Sequence, residues 1–557
     1  MKRTSVILVL LSIIFVVFSF SPSLYEIIQS PHIPKERSFV LDHNYMFDFN
    51  FYLSRIREGT EGRLLVTEKY YNKEHPASLF QIVYLLFGKV GGLMQLNPEV
   101  IYHSARILFG LVLLLVVGKI CLRYFPKWSS VGVFLLIVTA GSWPILMKIG
   151  SGWRFGTFMG WWSVVDSLQR ITFLPHVLIG QLFLVLFIMA YSKPVKYPVV
   201  WGLAGLIAGI IFPPTLIVVY AFFGVQSMLE IIQHISQGKS KEEKREWMKK
   251  WVREFLVPRS IFILCTVPSF IYLQMMFQVD PWKALALFDI RHRIVMPYAE
   301  YAMALGPILP LGLIGLIVIL LQRKEKFYPF VSWILTVGLL FVVFENVPQQ
   351  SPSRFTQAAI HIPLGILAGY VFVSLWTWAS QLSRKKKILG KSIIGLGYTL
   401  MILMGLGVMA SMVLWLTDQG RSKRTGTWVV PTGTQLIYPL KDFMDAIFYL
   451  RDYTSHNKVI LAYETAGNFI PAYAGNYVYM GHANTPDEEY KKDQAGKFFE
   501  GLMKPEEAHK FLSDESIAYV YFGSQEKDLG KIQDLQAVYP FLKEIYQNSR
   551  VKIYQVN

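Results

Sequence analysis

Residues 5–25 read SVILVLLSIIFVVFSFSPSLY, an apolar stretch of the length that a helix needs to cross a bilayer. Ten further stretches of similar character follow it along the chain. They lie near residues 100–122, 129–147, 173–191, 197–212, 213–232, 259–277, 304–321, 327–344, 357–380 and 392–416. The composition agrees, because 53% of the 557 residues are apolar and only 17% are charged. We therefore predict an α-helical polytopic membrane protein with about eleven transmembrane helices.

The N-terminal stretch resembles a signal peptide, because Lys2 and Arg3 precede its apolar residues. Ser19, Ser21 and Pro22 give no clear cleavage site of the small-x-small kind, so we interpret the stretch as an uncleaved first span. The apolar stretch 78–93 is short and is interrupted by glycines, and we predict an interfacial helix there instead of a twelfth span.

The distribution of positive charge predicts which loops face the cytosol. With the N-terminus inside, the short cytosolic segments hold 22 Lys and Arg in 61 residues, whereas the outer loops hold 15 in 137. This topology places the long loop 26–99 and the C-terminal tail on the extracytosolic side of the cell membrane. The formal net charge of +17 belongs to the membrane part, because the tail from Asp418 holds 16 basic and 18 acidic residues. Nucleic acid is therefore excluded as a partner, and the lipid bilayer is the expected surroundings.

The tail predicts a separate extracytosolic α/β domain at residues 418–557, following a membrane bundle at 1–417. Its β-branched and aromatic runs predict strands at 458–462, 477–480, 518–522 and 551–556. Helical spacing predicts helices at 440–453, 488–502 and 504–513, and Gly-rich turns are expected at 466–475 and 479–485. On the other side, residues 239–250 predict a charged cytosolic helix.

The first outer loop carries the residues of most chemical interest. Residues 41–59 read LDHNYMFDFNFYLSRIREG, and their spacing predicts an amphipathic helix with Asp48 and Tyr52 on one face. Asp48 has two interpretations, a functional carboxylate or an acidic residue interacting with a helix N-terminus, and Asp42 has the alternative role of a helix cap.

Several features together resemble the GT-C superfamily, and among its members the protein O-mannosyltransferase-like bacterial membrane enzymes. These features are one N-terminal span, a long outer loop with an Asp shortly before a Tyr, an interfacial helix, and Tyr102-His103-Ser104-Ala105-Arg106 at the entry to the second span. The resemblance implies a glycosyltransferase that moves a hexose or a pentose from a polyprenyl-phosphate-linked donor, with inversion, to an extracytosolic protein, lipid or glycan. It also implies that the acid of the first loop is the catalytic carboxylate, which carries over onto Asp48, with Asp42 as the second choice. Many members have two adjacent acids there, whereas this chain has Asp48-Phe49, so the choice between the two stays open.

The same resemblance suggests substrate-binding residues elsewhere. Arg354-Phe355 looks like an Arg-Tyr motif that precedes a late span, so Arg354 is expected to bind the lipid phosphate. The alternative is an interfacial Arg that extends to the headgroups. Arg106 is carried over from the entry to the second span, and Tyr52 from the first outer loop.

Other polar residues are candidates by position. Arg170 and His176 stand at the outer end of the predicted fourth span, where ionisable residues are often functional. Glu74-His75 precedes the interfacial helix. The alternative for each is a structural residue with satisfied hydrogen bonds. A divalent cation stays open as a cofactor, with Asp166 as an isolated candidate ligand, and the two cysteines offer neither a disulfide framework nor a Cys-based zinc site.

Three rival functions remain at this stage. A transporter or flippase of lipid-linked sugars would share the bundle, but would be expected to show inverted repeats and ionisable residues at the bilayer midplane, and neither is visible. An O-antigen ligase or polymerase usually has its large loop late in the chain. A non-catalytic receptor would leave the acidic first loop unexplained.

Overall fold

The computed structural model describes residues 2–236, 240–427 and 436–556. Two compact units are formed. A helical unit comprises Met1–Ser21, Arg106–Tyr272 and His292–Trp415, and a mixed unit comprises Pro22–Ala105, Leu273–Arg291 and Leu416–Asn557. These units are defined by contacts between residues, whereas the boundary predicted at residue 417 was defined by the change in composition. Contacts thus group the first outer loop with the tail.

The first part of the chain is almost wholly helical. The helices up to residue 235 are α1 (Lys2–Gln29), α2 (Met46–Thr60), α3 (Ile82–Leu93), α4 (Pro98–Tyr124), α5 (Lys127–Val138), α6 (Pro175–Tyr191), α7 (Pro198–Ile211) and α8 (Pro214–Ile235). Those from residue 241 to 425 are α9 (Lys241–Trp251), α10 (Val257–Met276), α11 (Trp282–Arg291), α12 (Tyr298–Leu305), α13 (Ile308–Leu321), α14 (Tyr328–Phe344), α15 (His361–Ser380) and α16 (Arg384–Thr425). The charged helix predicted at 239–250 is α9, although residue 239 lies outside the described residues.

Among the described residues, seven helices are long and apolar enough to cross a membrane, which makes the chain a membrane protein. They are α1, α4, α8, the continuous helix Lys241–Met276 that contains α9 and α10, and α14, α15 and α16. An eighth span is formed if α12 and α13, which meet at an angle of 86°, count as one. The predicted spans at 129–147, 173–191 and 197–212 fall on the shorter apolar helices α5, α6 and α7, so the count of eleven stays a prediction.

The span predicted at 129–147 is wrong in its second half. Helix α5 ends at Val138, and strands β1 (Ile145–Ile149) and β2 (Gly152–Gly156) form an antiparallel hairpin. Gly141 and Pro144 follow the end of α5, and both residue types interrupt helices. The apolar residues of β1 extended the hydrophobic run and so concealed this change of structure.

Glycines allow close packing between the apolar helices. A Cβ on Gly365 would lie 2.5 Å from Ile137 Cγ1, and one on Gly369 would lie 2.5 Å from Val133 Cγ2. These two glycines, four residues apart on α15, therefore let α5 approach closely, as small residues do in membrane helix pairs.

The mixed unit contains a five-stranded sheet whose strands and helices come from the tail. Its strands are β3 (Val459–Leu461), β4 (Tyr477–Val478), β5 (Ile517–Phe522), β6 (Leu542–Gln547) and β7 (Lys552–Val556). Its tail helices are α17 (Lys441–Tyr453), α18 (Glu464–Tyr473), α19 (Glu488–Phe499), α20 (Pro505–Asp514), α21 (Ser524–Gly530) and α22 (Leu535–Val538). The strand order is β4-β3-β5-β7-β6, parallel from β4 to β5 and antiparallel from β5 to β6. The α/β class and all the predicted strands and helices of the tail are confirmed.

Four tail elements were not predicted, namely α18, α21, α22 and β6. Residues 466–475 were expected to form a Gly-rich turn, but 464–473 form helix α18. Gly467 lies inside this helix. The position requires glycine because a Cβ there would come within 2.2 Å of the Met480 carbonyl oxygen. The glycine therefore permits close packing and does not mark a turn. Strand β6 was not predicted, because its sequence LKEIYQ alternates poorly.

The first outer loop folds onto itself through two helices. Helix α3 confirms the helix predicted within 78–93, and it crosses α2 where Gly59 and Gly88 meet. A Cβ on Gly59 would lie 2.0 Å from the Leu85 carbonyl oxygen. Helix α2 therefore has a fixed position on α3, and its first turn carries Asp48.

Candidate active site

Asp48 lies in the first turn of α2, beside a residue from the C-terminal domain. Its side chain is 45% exposed, and Oδ1 lies 3.5 Å from Nε2 of His482, whose side chain is 4% exposed. A carboxylate that is partly open to solvent and partly held by the protein is suited to accept a proton from an incoming hydroxyl.

The tautomer of the neutral His482 ring follows from its other contacts. The backbone N–H of Asn484 donates to Nδ1 at 3.2 Å, so the neutral ring carries its proton on Nε2. This nitrogen lies 3.5 Å from Asp48 Oδ1, longer than an ordinary hydrogen bond. The ring also stacks on Phe51, with centroids 4.6 Å apart and planes at 21°, and lies beside Tyr70 at 5.4 Å. His482 is thereby fixed in both orientation and tautomer.

A close approach of two backbones positions the turn that carries His482. A Cβ on Gly481 would lie 2.2 Å from the carbonyl carbon of Gly467 in α18. Only glycine fits at this contact, so the predicted Gly-rich turn at 479–485 is packed directly against α18.

Helix α18 is also bonded to α2 through amide groups. The Asn50 side-chain amide donates to Asn468 Oδ1 at 2.7 Å, and both residues are buried. The Tyr70 hydroxyl donates to the Asn468 carbonyl at 3.0 Å. These bonds fix α18 relative to α2. Because α2 carries Asp48 and the turn with His482 packs against α18, the bonds also fix the distance between Asp48 and His482.

A buried ion pair links α2 to the segment that follows it in the first outer loop. Arg55 and Glu68 are fully buried and meet at 2.6 Å, and the Arg55 guanidinium lies 4.3 Å from the centroid of Phe51. The ring that stacks on His482 is therefore itself supported by a charged pair.

Asp42, the second choice for the carboxylate, has a different environment. It is 3% exposed and forms an ion pair with Lys423, which also contacts Glu26 at 3.2 Å. Its charge is neutralised inside the protein, so it is not placed to accept a proton from a substrate. It does not cap a helix.

The remaining candidates of the first loop have structural contacts. Tyr52 is 8% exposed and stacks on Tyr84 at 4.6 Å, so the phenol predicted to share a face with Asp48 lies within an aromatic cluster. His75 Nε2 accepts the N–H of Glu68 at 2.8 Å, and Nδ1 lies 2.8 Å from the Lys73 carbonyl. Burial lowers the pKa of His75, which favours the neutral form that these two bonds require. Glu74 is exposed.

The other candidates belong to the helical unit, and two of them have structural contacts. Nη2 of Arg170 donates to the carbonyl oxygens of Ile137 and Val138 at 3.1 Å and to that of Ala140, which caps the end of α5. Arg106 is buried and donates to Thr172 Oγ1 at 3.2 Å.

Arg354 and His176 are more accessible. Arg354 lies in the short helical turn Pro352–Gln357 before α15 and is half-buried, while the side chains around it at 351–360 are buried. His176 lies in the first turn of α6, half-buried, with its ring 5.7 Å from that of Phe212. Their roles as substrate-binding residues stay predictions.

Among the described residues, no three His, Cys, Asp or Glu side chains lie close enough together to hold a metal ion. Asp166, the isolated candidate ligand, accepts the N–H groups of Leu168 and Gln169 at 3.0 and 2.8 Å and so caps a helical turn.

His482 is the site residue that the sequence did not reveal as functional. It lies in a turn that was noted only for its glycines, and its partner Asp48 is in the first outer loop. No spacing in the sequence links two residues so far apart, so only the folded chain brings them together.

The fold and site define a membrane protein that has a helical bundle and a mixed domain, in which a partly exposed Asp lies beside a buried His. No protein-family model matches the sequence, and the search of curated proteins gave no match. Among solved structures, the chain is similar to the archaeal oligosaccharyltransferase AglB from Archaeoglobus fulgidus in complex with an inhibitory peptide and a dolichol-phosphate. The identity is 13% and the TM-score 0.47, over 98% of this chain and 74% of that chain.

The chain is also similar to ArnT from Cupriavidus metallidurans bound to undecaprenyl phosphate, with 11% identity and a TM-score of 0.47 over 97% of each chain. At these scores, no residue role is carried over from either neighbour.

Proposed function

We propose that this protein is a membrane glycosyltransferase that moves a sugar from a polyprenyl-phosphate-linked donor to an extracytosolic acceptor, a protein, lipid or glycan. The observation that carries the proposal is the partly exposed Asp48 carboxylate, 3.5 Å from the buried His482. A transporter of the same donor would need neither a general base nor a side chain that orients one.

In the proposed reaction, Asp48 removes the proton of an acceptor hydroxyl as its oxygen attacks the anomeric carbon. The bond between that carbon and the phosphate oxygen breaks, and the polyprenyl phosphate leaves with the electron pair from the opposite face. Inversion follows from this geometry of attack. Arg354 is proposed to pair with the departing phosphate, since a guanidinium stays charged and binds phosphate oxygens in a bidentate manner.

His482 is proposed as a positioning residue for Asp48. In the substrate complex, the Nε2–H group would donate to Oδ1, which lies 3.5 Å away in the free protein, and the other carboxylate oxygen would face the acceptor. The C-terminal domain would then contribute to the reaction through a single turn.

The proposal is tested with purified full-length protein and undecaprenyl-phosphate mannose, glucose and arabinose as donors. The measurement is cleavage of the sugar–phosphate bond in the presence of membrane extract as acceptor, with and without added Mg²⁺ or EDTA. Asp48→Asn is expected to lower the rate by about 10²–10⁴-fold, the range for loss of a general base. Asp493→Asn, an exposed acid on α19, is the matched control and is expected to keep the rate.

Two results would contradict the proposal. If a folded D48N protein cleaved the sugar–phosphate bond at the full rate, Asp48 would be excluded as the general base. If the protein moved an intact donor across the bilayer without cleaving it, the flippase function would be favoured. His482→Phe keeps a ring against Phe51 but has no donor, so we expect kcat to fall at least tenfold with KM nearly unchanged. Equal losses in D48N and in the control variant would indicate a folding defect.

A further inference from the structure

A cavity of about 540 Å³ lies in the helical unit, and none of the candidate site residues lines it. It is lined by residues at the C-terminal ends of α4, α6 and α8, by α9, and by the segment before α14. The charge distribution predicts that all of these segments face the cytosol. The cavity is therefore expected at the cytosolic end of the helical unit.

One wall of the cavity is aromatic. The rings of His234 and Trp247 stack with centroids 3.9 Å apart and planes at 8°. The ring centroids of Trp247 and Trp251 are 6.1 Å apart. Both tryptophans come from α9, and tryptophan is enriched where protein meets the interfacial zone of a bilayer.

The acids of the lining are already bonded. Glu230 accepts from Arg259 at 3.0 and 3.1 Å, from Trp251 Nε1 at 2.8 Å and from Gln226 at 2.8 Å. Arg259 neutralises its charge. Glu325 accepts from Gln233 at 2.8 Å and is the remaining acid of the lining.

The cations of the lining are less engaged. Lys326 donates to the carbonyl of Arg123 at 3.1 Å, at the end of α4. Arg123 and Lys193 are exposed, and neither forms an ion pair within the part of the chain that the structure describes. With Glu230 neutralised, the positive charges outnumber the negative ones, and two of them are available to a ligand.

We propose that this cavity binds the phosphate-bearing headgroup of an anionic glycerophospholipid such as phosphatidylglycerol. Arg123 and Lys193 would bind the phosphate, and the tryptophans would contact the glycerol and the first acyl carbons. Basic pockets between helices on the cytosolic side bind anionic headgroups in this way. Helix α9, next to the cavity, carries five basic and three acidic residues, and Lys249 is paired with Glu246 at 2.7 Å, so the helix adds a small positive excess.

The test uses the full-length protein in nanodiscs of phosphatidylcholine, with or without phosphatidylglycerol. Since a ligand stabilises the state that it binds, phosphatidylglycerol is expected to raise the Tm of the wild-type protein and to stay bound in native mass spectrometry. The variant Arg123→Gln with Lys193→Gln should lose both effects. Lys119→Gln with Lys196→Gln removes the same charge from exposed neighbours outside the cavity and should keep both.

Each other outcome would overturn the proposal. Equal losses in the two double variants would mean general surface attraction without a site. No effect of phosphatidylglycerol on the wild-type protein would exclude the lipid. A third arm adds soluble glycerol 1-phosphate to phosphatidylcholine nanodiscs, and a Tm rise as large as that with phosphatidylglycerol would assign the cavity to a soluble phosphate compound.

Discussion

At the scale of single residues, Asp42 and Asp48 show why the sequence left two candidates for one role. Both are acids of the same loop, and the residues that distinguish them, Lys423 and His482, lie in the last third of the chain. The sequence could predict that an acid of this loop matters. It could not predict which acid is neutralised inside the protein, because that depends on contacts between distant segments.

This difference predicts opposite outcomes for two similar variants. Asp42→Asn removes the buried charge-assisted bond between Asp42 and Lys423, while Glu26 still balances the lysine, so we expect the free energy of unfolding to fall by about 1–2 kcal/mol. D48N is expected to change it little, because its carboxylate is partly exposed. The measurement is thermal unfolding of both variants in one detergent, together with donor cleavage. If D42N instead kept its Tm and lost cleavage, Asp42 would be the base.

At the scale of elements, prediction succeeded where one apolar or alternating run defines one element. Helices α1 and α4 were predicted because their runs are continuous, and β5 because its residues are mainly β-branched or aromatic. Prediction failed at β1 and at α18. In the first case apolar residues continued past the end of a helix, and in the second a glycine needed for packing looked like a turn residue.

The crossing of α2 and α3 gives an element-scale prediction. Gly59→Ala would place a methyl group 2.0 Å from the Leu85 carbonyl oxygen, so the helices must separate. We expect the free energy of unfolding to fall by about 1–3 kcal/mol, the usual cost of overpacking, and residues 26–99 to be proteolysed faster. Gly496→Ala in α19 is the control, because its nearest neighbour is a flexible Glu500 oxygen at 4.0 Å, and there alanine should stabilise the helix. Equal stability of the two variants would refute the tight crossing.

At the scale of the whole molecule, the first outer loop and the tail form one compact unit, although they are far apart in sequence. The sequence assigned each of them to the same side of the membrane, but not to the same unit. Lys69, 4.0 Å above the ring of Tyr477, and Asn72, which accepts from Lys491 at 2.6 Å, are among the contacts that unite them. Such long-range contacts have no signature in a single sequence.

One of these contacts depends on pH. His456 Nδ1 lies 3.0 Å from Glu61, and Nε2 lies 3.1 Å from the Arg451 carbonyl, so only the doubly protonated ring satisfies both. The bond to Glu61 raises the pKa of His456. Because the folded value lies above the unfolded one of about 6.5, the stabilisation is complete below that pH and is lost as the pH rises through the raised pKa.

We therefore expect the mixed unit to be less stable at pH 8.5 than at pH 6 by up to about 1 kcal/mol, since the pair is partly exposed. His456→Gln should flatten this dependence, whereas His509→Gln, which removes a ring packed against Phe541, should not. Limited proteolysis and thermal unfolding at the two pH values provide the measurement. An unchanged slope in H456Q would show that another group is responsible.

The divided composition of the mixed unit has a consequence for biosynthesis. Residues 22–105 leave the ribosome roughly 300 residues before their partners after residue 416. At about 5–20 residues per second, the first segment waits on the order of tens of seconds without the tail. During that interval Asp42 lacks Lys423, and Asn50 lacks Asn468. A nascent chain stalled before residue 416 should therefore recruit chaperones at its first loop, and should release them once the tail has been synthesised.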